Sequence, residues 1–417
     1  MNMKHLYIIL LVFPLIGFGQ GWEQTFGGTG NDYGRSVQQT VDGGYIITGS
    51  ITSESDFDLY LIKTDENGDE EWSQIYGGVS YQNGYCVQQT IDGGYIITGR
   101  TFVTPSYQVY LIKTNEEGEE EWSQTYGGDL SGFERGWSVQ QTPDGGYVVL
   151  GTNNTSSMYL IKTSELGEEE WSQTFEETGY GKCVDQTNDG GYIITGNPRI
   201  YSDNTVTHLI KTSELGEEEW SQTFENFLSN SLQQTPDEGY ILCGDKVNNE
   251  IQNGWCIKTD QNGNEEWSKE YGGEENDHVS SLDQTNDGGY IITGFFSDTT
   301  SLLLIKTDLY GNEEWSKEYG DIGKEVGLSV EQTLDGGYII SGIIKSVEDE
   351  DWDVYLIKTD SEGNVETTST IELPTPTRKR ELLKTTNILG QENTTIKNQP
   401  LIELYDDGST EKKIVLE

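Results

Sequence analysis

Histidine, cysteine and basic residues are all scarce in this 417-residue chain, and each shortage removes a class of function. Of three histidines, His5 falls in the first twenty residues, and His208 and His278 stand far apart. Each of those two reads as a surface or loop residue rather than a general base. Lysine and arginine total 25 against 72 aspartates and glutamates, a formal charge of −47. Phosphate backbones are held by cations, so nucleic acid is not an expected partner. Only four cysteines are present. Cys86 and Cys183 occupy equivalent places in separate, non-neighbouring copies of a repeat and are not expected to bridge. Cys243 and Cys256 fall on consecutive strands, where a disulfide across the hairpin competes with buried free thiols as the reading. No Gly-x-Ser-x-Gly elbow is visible, and no helical period competes with the strand pattern.

Long apolar runs are missing too, except at the start. Lys4, the apolar stretch Leu6 to Phe18 and the small residues Gly17 and Gly19 read as a signal peptide at 1–19, cut near Gln20. Its apolar core is too short for a spanning helix, and no later run approaches the roughly 18 residues needed. The chain is therefore expected to be secreted or held at the outer cell surface, soluble, with no integral membrane segment once the leader is gone.

What the chain has in abundance is repetition. A tyrosine in a turn phrase of the Asp-Gly-Gly-Tyr kind returns at Tyr45, Tyr95, Tyr147, Tyr192, Tyr240, Tyr290 and Tyr338. A period near this length marks one supersecondary unit that must stack on copies of itself. The first unit reads as four strands: Trp22 to Gly28, Ser36 to Thr40, Gly44 to Gly49 and Leu59 to Thr64. Asp42-Gly43-Gly44 reads as a tight turn between strands two and three, and Asp65-Glu66-Asn67-Gly68 as one between strands three and four. Both keep nearly constant length in every copy, whereas the other connections vary. In an antiparallel sheet this gathers the tight turns at one end and the variable loops at the other, where binding residues are usually carried.

Seven such sheets are expected to close into a ring, since radial repetition leaves only short, protected edges. A Trp strand opens the array at Trp22 but none follows the last copy, so the Trp22 strand is expected to supply the outer strand of the final sheet. Trp22, Trp72, Trp122, Trp171, Trp220, Trp267 and Trp315 recur once per unit, as packing between neighbouring sheets requires. Lys63, Lys113, Lys162, Lys211, Lys258, Lys306 and Lys358 do likewise. They are read as exposed partners of outer-strand glutamates, each contributing little. Asp65, Asn67 and Asp69 echo a calcium loop, but Ser164 and Leu166, then Ser213 and Leu215, break the pattern in later copies. A hairpin turn explains all of them, and neither metal nor cofactor is expected.

Phe26-Gly27-Gly28-Thr29-Gly30-Asn31-Asp32, Asp42-Gly43-Gly44-Tyr45, Leu61-Ile62-Lys63-Thr64 and Gly68 followed by Trp72 resemble the repeats of bacterial secreted seven-bladed β-propellers, from Trp22 to about Glu366. The blades are also similar, in fold only, to the tryptophan-docked blades of quinoprotein dehydrogenases. After a Thr/Pro-rich linker at 367–377, the segment 378–417 is similar to the sorting tails of the type IX secretion system of Bacteroidota. It carries Arg378-Lys379-Arg380, Asn387-Ile388-Leu389-Gly390-Gln391, Tyr405-Asp406-Asp407-Gly408 and Lys412-Lys413-Ile414-Val415. That resemblance implies passage across the outer membrane through the type IX machinery as a partner. The expected fold is thus all-β: a seven-bladed propeller of four-stranded antiparallel blades over 20–366, and a small β-rich tail.

Outside the tail the only arginines are Arg35, Arg100, Arg135 and Arg199, all in or beside the variable connections. Aromatics accompany them, notably Tyr33, Tyr85, Trp137 and Tyr201, with Tyr81, Tyr107, Phe133, Trp255 and Trp352 nearby. Arginine and aromatic side chains suit recognition, through bidentate hydrogen bonds and rigid stacking. A non-catalytic binding or adhesion module is therefore expected, with a polysaccharide or a surface protein as ligand. The alternative is a propeller hydrolase or lyase acting on polysaccharide, which convergent carboxylates with shifted pKa values around the central channel would favour.

Overall fold

The computed structural model describes residues 21–365 except 54–55, 79, 128–131, 199–204, 249–250, 274–275, 297–299, 321–323 and 346–350, together with the strands 382–387, 400–405 and 410–414. The leader expected at 1–19, the linker at 367–377, Arg378-Lys379-Arg380, and Arg199 and Tyr201 lie outside the described residues. Every regular element described is a strand. No helix is long and apolar enough to cross a membrane.

Strand β1 (Trp22–Phe26) is followed by β2 (Tyr33–Gln39), β3 (Tyr45–Ser53), β4 (Asp56–Thr64) and β5 (Glu70–Tyr76). The last four form one antiparallel sheet in sequence order, and five more sheets repeat that order. The seventh contains Lys324–Gln332, Tyr338–Lys345 and Asp353–Thr359, and its fourth strand is β1, with Trp22 opposite Lys358 and Phe26 opposite Val354. The N-terminal strand therefore closes the ring, as its tryptophan led one to expect. Each sheet's first strand touches the first strands of both neighbours around a complete circle. The seven inner strands surround a central channel.

Because β1 belongs to the seventh blade, the strand count within a blade begins at β2. Asp65–Gly68 consequently joins β4 to β5, and the connection between β3 and β4 is a variable one, which corrects the assignment made from sequence. The two tight turns still lie at one end of the blade and the two variable connections at the other.

The turn phrase has a separate reason for each residue. Asp42 Oδ1 accepts hydrogen bonds from the Thr40 hydroxyl and from Gly44 N–H. Gly43 has φ +91°, a conformation that strains residues bearing a Cβ. A Cβ on Gly44 would collide with the Thr64 carbonyl and the Lys63 ammonium. Tyr45 is buried in the core between blades. In the fifth copy Glu238 replaces the first glycine and sits at φ +68°. Left-handed backbone costs a non-glycine residue about 1–2 kcal/mol, part of which glycine returns through its freer unfolded chain. Glu238→Gly is expected to stabilise the protein by about 0.5–1 kcal/mol, read as a higher urea midpoint.

The repeated lysines are not exposed, which overturns the expectation of weak surface pairs. Lys63 is 3% exposed, and its ammonium lies 2.9 Å from Asp42, 2.8 Å from Glu71 and 2.9 Å from the Thr64 carbonyl. The strand pattern explains this, because β4 is a central strand buried on both faces. The lysine reaches both an acid of the β2–β3 turn and an acid of β5, tying the four strands together. Five further blades repeat the triad. In the seventh, Gly21 stands where the second acid would be, and Lys358 donates to both oxygens of Asp335.

Each tryptophan of the repeated column docks on the next blade. The Trp22 ring covers Gly68, where a Cβ would strike the indole, and packs against Tyr45 at 5.7 Å. The same trio recurs through Trp315, Gly363 and Tyr338. Cys243 and Cys256 are cross-strand partners joined by a disulfide, while Cys86 and Cys183 are free. His208 and His278 are strand residues rather than loop residues. His208 is partly buried, which lowers its pKa, and His278 stacks on Phe295. In the Asp65 turn Oδ1 accepts from the N–H groups of Asn67 and Asp69, a self-satisfied hairpin. The C-terminal unit is a three-stranded antiparallel sheet of Leu382–Asn387, Pro400–Tyr405 and Thr410–Ile414.

Candidate functional site at the mouth of the central channel

Every inner strand breaks register once, after its second or third residue or a little later, as between Gly34 and Ser36 in β2. The same break recurs in the other six blades. The residues skipped by the ladder are Arg35, Tyr85, Trp137, Lys182, Asn230, Ser280 and Leu328. A bulge re-aims a side chain, and here the bulged residues of successive blades meet. Arg35 lies 5.3 Å from the Tyr85 ring, Tyr85 lies 4.5 Å from Trp137, and the Lys182 ammonium lies 4.8 Å from Trp137. Blades 1–4 thus present a cationic and aromatic arc, and blades 5–7 present Asn230, Ser280 and Leu328.

Other groups converge on this arc. Arg35 also covers Tyr33 at 5.1 Å, and Arg135 covers Trp137 at 5.0 Å and Tyr180 at 5.7 Å. Arg100 donates from Nε to Asn83 Oδ1 and lies 4.7 Å from Tyr107. Burial lowers the pKa of Arg35, against Tyr85 and Tyr33 and with further lowering from Arg100 and Arg135, and burial followed by Arg135 lowers that of Lys182 against the opposing charge of Asp245. Three donors here are buried without an acceptor: Arg35 Nε, Arg135 Nε and Trp137 Nε1. Leaving a buried donor unmet costs about 1–3 kcal/mol.

The structure therefore brings together Tyr33, Arg35, Tyr85, Arg100, Arg135 and Trp137, at the end of the channel where the variable connections emerge. These side chains sit on strands, at the ends that adjoin the variable connections in or beside which the sequence reading placed them. Lys182 and Tyr180 were missed. Aligning the copies on their Ser or Cys would have found Lys182, which stands directly before Cys183 as Arg35 stands before Ser36. Tyr107 stacks on Phe133 at 5.7 Å, and the Lys246 ammonium lies 3.6 Å from Trp255.

Three residues further along each inner strand, towards the tight turns, a second ring joins blade to blade. Gln38 accepts from Gln89 N–H, Gln88 from Gln141, Gln140 from Gln186, Asp185 from Gln234, Gln233 from Gln284 and Asp283 from Gln332. Glu331 then accepts from Gln39 N–H at 2.6 Å, which completes the circle. A cavity of ≈ 210 Å3 is lined here by Gln38, Gln88, Gln140, Asp185 and Gln233 among others. The three acids are the convergent carboxylates that a hydrolase would need, and burial raises the pKa of each. Each nevertheless holds the next blade's backbone, a task done by glutamine in four blades.

Glu331 is pushed up to about 7 by burial and, to a lesser degree, by the Asp283 charge, against the hydrogen bond from Gln39. Its folded value lies above the ordinary 4.5, so the protonated form is the one the fold favours. That stabilisation is complete below about pH 4.5 and is lost as pH rises through about 7. Between pH 5 and pH 8 the protein is expected to lose about 1–3 kcal/mol from this group. Glu331→Gln, matching Gln38, is expected to flatten that limb and to raise stability at pH 8, as urea titrations at several pH values will show.

No family model matches the sequence, and no curated protein matches it. Among solved structures the chain is similar to Kuenenia stuttgartiensis hydrazine synthase at 10% identity and a TM-score of 0.54, covering 79% of this chain and 96% of that one. It is similar to YCF48 bound to D1 peptide at 12% identity and a TM-score of 0.51, covering 84% and 99%. A protein of unknown function from Bacteroides caccae matches at 12% identity and a TM-score of 0.44, covering 63% and 90%. At these identities the likeness is one of fold.

Proposed function

We propose that this protein is a non-catalytic binding or adhesion module, exported or held at the cell surface, which takes a macromolecular ligand at the variable-loop mouth of its channel. The observation that carries the reading is the convergence of Arg35, Arg135, Trp137 and Lys182, with three buried donors lacking acceptors. A rigid ring of strands holds these groups in place, which limits the entropy a ligand must overcome. The similar YCF48 structure holds a D1 peptide, which supports the idea that a chain of this fold takes a macromolecular ligand. Export is supported by the leader-like start and by the Cys243–Cys256 disulfide, a bond that persists in oxidising compartments. The tail's resemblance to type IX sorting tails supports delivery by that machinery.

The hydrolase or lyase reading rests on Asp185, Asp283 and Glu331, whose inter-blade hydrogen bonds give them a structural task already. Binding is the reading favoured. Glycan and peptide arrays probed with wild type and with Arg135→Ala/Trp137→Ala test it. At least a tenfold loss of retained signal is expected in the variant, about 1.4 kcal/mol or more. Equal binding by both proteins would remove the assignment.

A further inference from the structure

We infer that the mouth selects a peptide bearing one isolated carboxylate, flanked by uncharged or basic residues. This deepens the binding reading above and rests on it. The first ground is what the cluster offers. In a chain of net charge −47, Arg35, Arg100, Arg135 and Lys182 gather at one mouth, and among the described residues no ion pair joins any of them to a carboxylate. The lysines of the blades, by contrast, are each paired to one or two acids. Arg35 Nε, Arg135 Nε and Trp137 Nε1 need acceptors, and a carboxylate supplies several lone pairs in a geometry that guanidinium matches.

The second ground separates a peptide from a sugar. Carbohydrate recognition by aromatic side chains needs an open ring face. Here the faces are engaged within the protein: Trp137 by Arg135, Lys182 and Tyr85, and Tyr85 by Arg35. The rings orient the cations by cation–π attraction, and what reaches a ligand is a set of N–H donors.

The third ground is the surrounding charge. A strongly acidic body repels a polyanion before it arrives, so a uronate polymer or an acidic run is disfavoured while a single carboxylate is not. Along the channel the next ring carries three carboxylates, Asp185, Asp283 and Glu331, each with one oxygen holding the next blade's backbone. Those acids suit a basic side chain adjoining the ligand carboxylate and oppose a second acid. The carboxylate is either a free C-terminus or a lone Asp or Glu side chain, and the two are separable by experiment.

The probes are synthetic peptide pools of equal length, incubated with the full-length protein. One pool is acid-free with a free C-terminus, one amidated with a single Asp or Glu, one amidated and acid-free, one rich in Asp and Glu. Oligogalacturonate forms a further arm. At least one of the first two pools is expected to bind about tenfold or more above the amidated acid-free pool, with whichever leads naming the source of the carboxylate. That preference is expected to disappear in Arg35→Gln/Arg135→Gln and to weaken in the milder Lys182→Gln, while Lys317→Gln, which removes a distant charge, keeps it. Equal binding of the amidated acid-free pool, or preference for the acid-rich pool or oligogalacturonate, overturns the inference while leaving a binding mouth. Absence of binding in every arm overturns the inference and the binding reading together. If the double variant fails to fold, the wild-type ranking of the pools decides alone.

Discussion

Removing Gly21 to Phe26 is expected to destabilise the propeller by about 5 kcal/mol or more. The strand contributes an antiparallel ladder from Trp22–Lys358 to Phe26–Val354, and each net hydrogen bond is worth about 1 kcal/mol. Trp22 and Phe26 also pack against the cluster that contains Val354 and Leu356, adding about 25 cal/mol for each Å2 of apolar area withdrawn from water. The deletion has a second consequence, because Asp353–Thr359 becomes a bare sheet edge, a template for pairing with another chain. The truncated protein is expected to unfold at lower urea and to self-associate on size-exclusion chromatography. A synthetic peptide spanning the missing strand is expected to reverse both effects. Unaltered stability would mean that the ring is not closed by this strand.

Lys211→Met is expected to cost about 2–4 kcal/mol. Breaking a fully buried ion pair costs about 3–5 kcal/mol, and the value here is lower because Asp189 and Glu219 keep much of their hydration, being 60% and 47% exposed. The loss comes from two acids left beside the buried end of a stem that no longer carries charge. Adding Asp189→Asn and Glu219→Gln is therefore expected to recover most of it. The pH dependence has a definite sign. Burial alone would raise the Asp189 carboxyl, but hydrogen bonds from Thr187, Lys211 and Gly191 outweigh it and hold the group at about 2, below the ordinary 3.8. Its stabilisation is present above about pH 4 and is lost as pH falls through about 2. The gap between wild type and Lys211→Met is expected to narrow over that window, measured by thermal unfolding at successive pH values.

The ring was legible because its signals are local and repeated. Asp42-Gly43-Gly44-Tyr45 and the tryptophan column state their turn and their packing in a few residues, and repetition cancels ambiguity. Four features were not legible. The Lys63 column looks like a surface charge until the neighbours of β4 are known, since burial of an ammonium depends on two acids that arrive from different strands. The position of Arg35 was misread because the inner strand was started at Ser36. A bulge lets the ladder resume at Gly34 and run on to Tyr33, so a residue that looks like loop is strand and is turned towards its counterpart in the next blade. The grouping of arginine with aromatics was visible, whereas Lys182 was obscured by being the one lysine in a column of unlike residues. The carboxylates of Asp185, Asp283 and Glu331 were invisible as a set, because only the closed circle brings them to one ring.

The most direct test is an experimental structure of the full-length protein with its best-binding array ligand. The account predicts a ligand oxygen within hydrogen-bonding distance of Arg35, Arg135 or Trp137, supplying acceptors to donors that now have none. A ligand seated on the tight-turn face or on the outer strands, with those three donors still unmet, would contradict it.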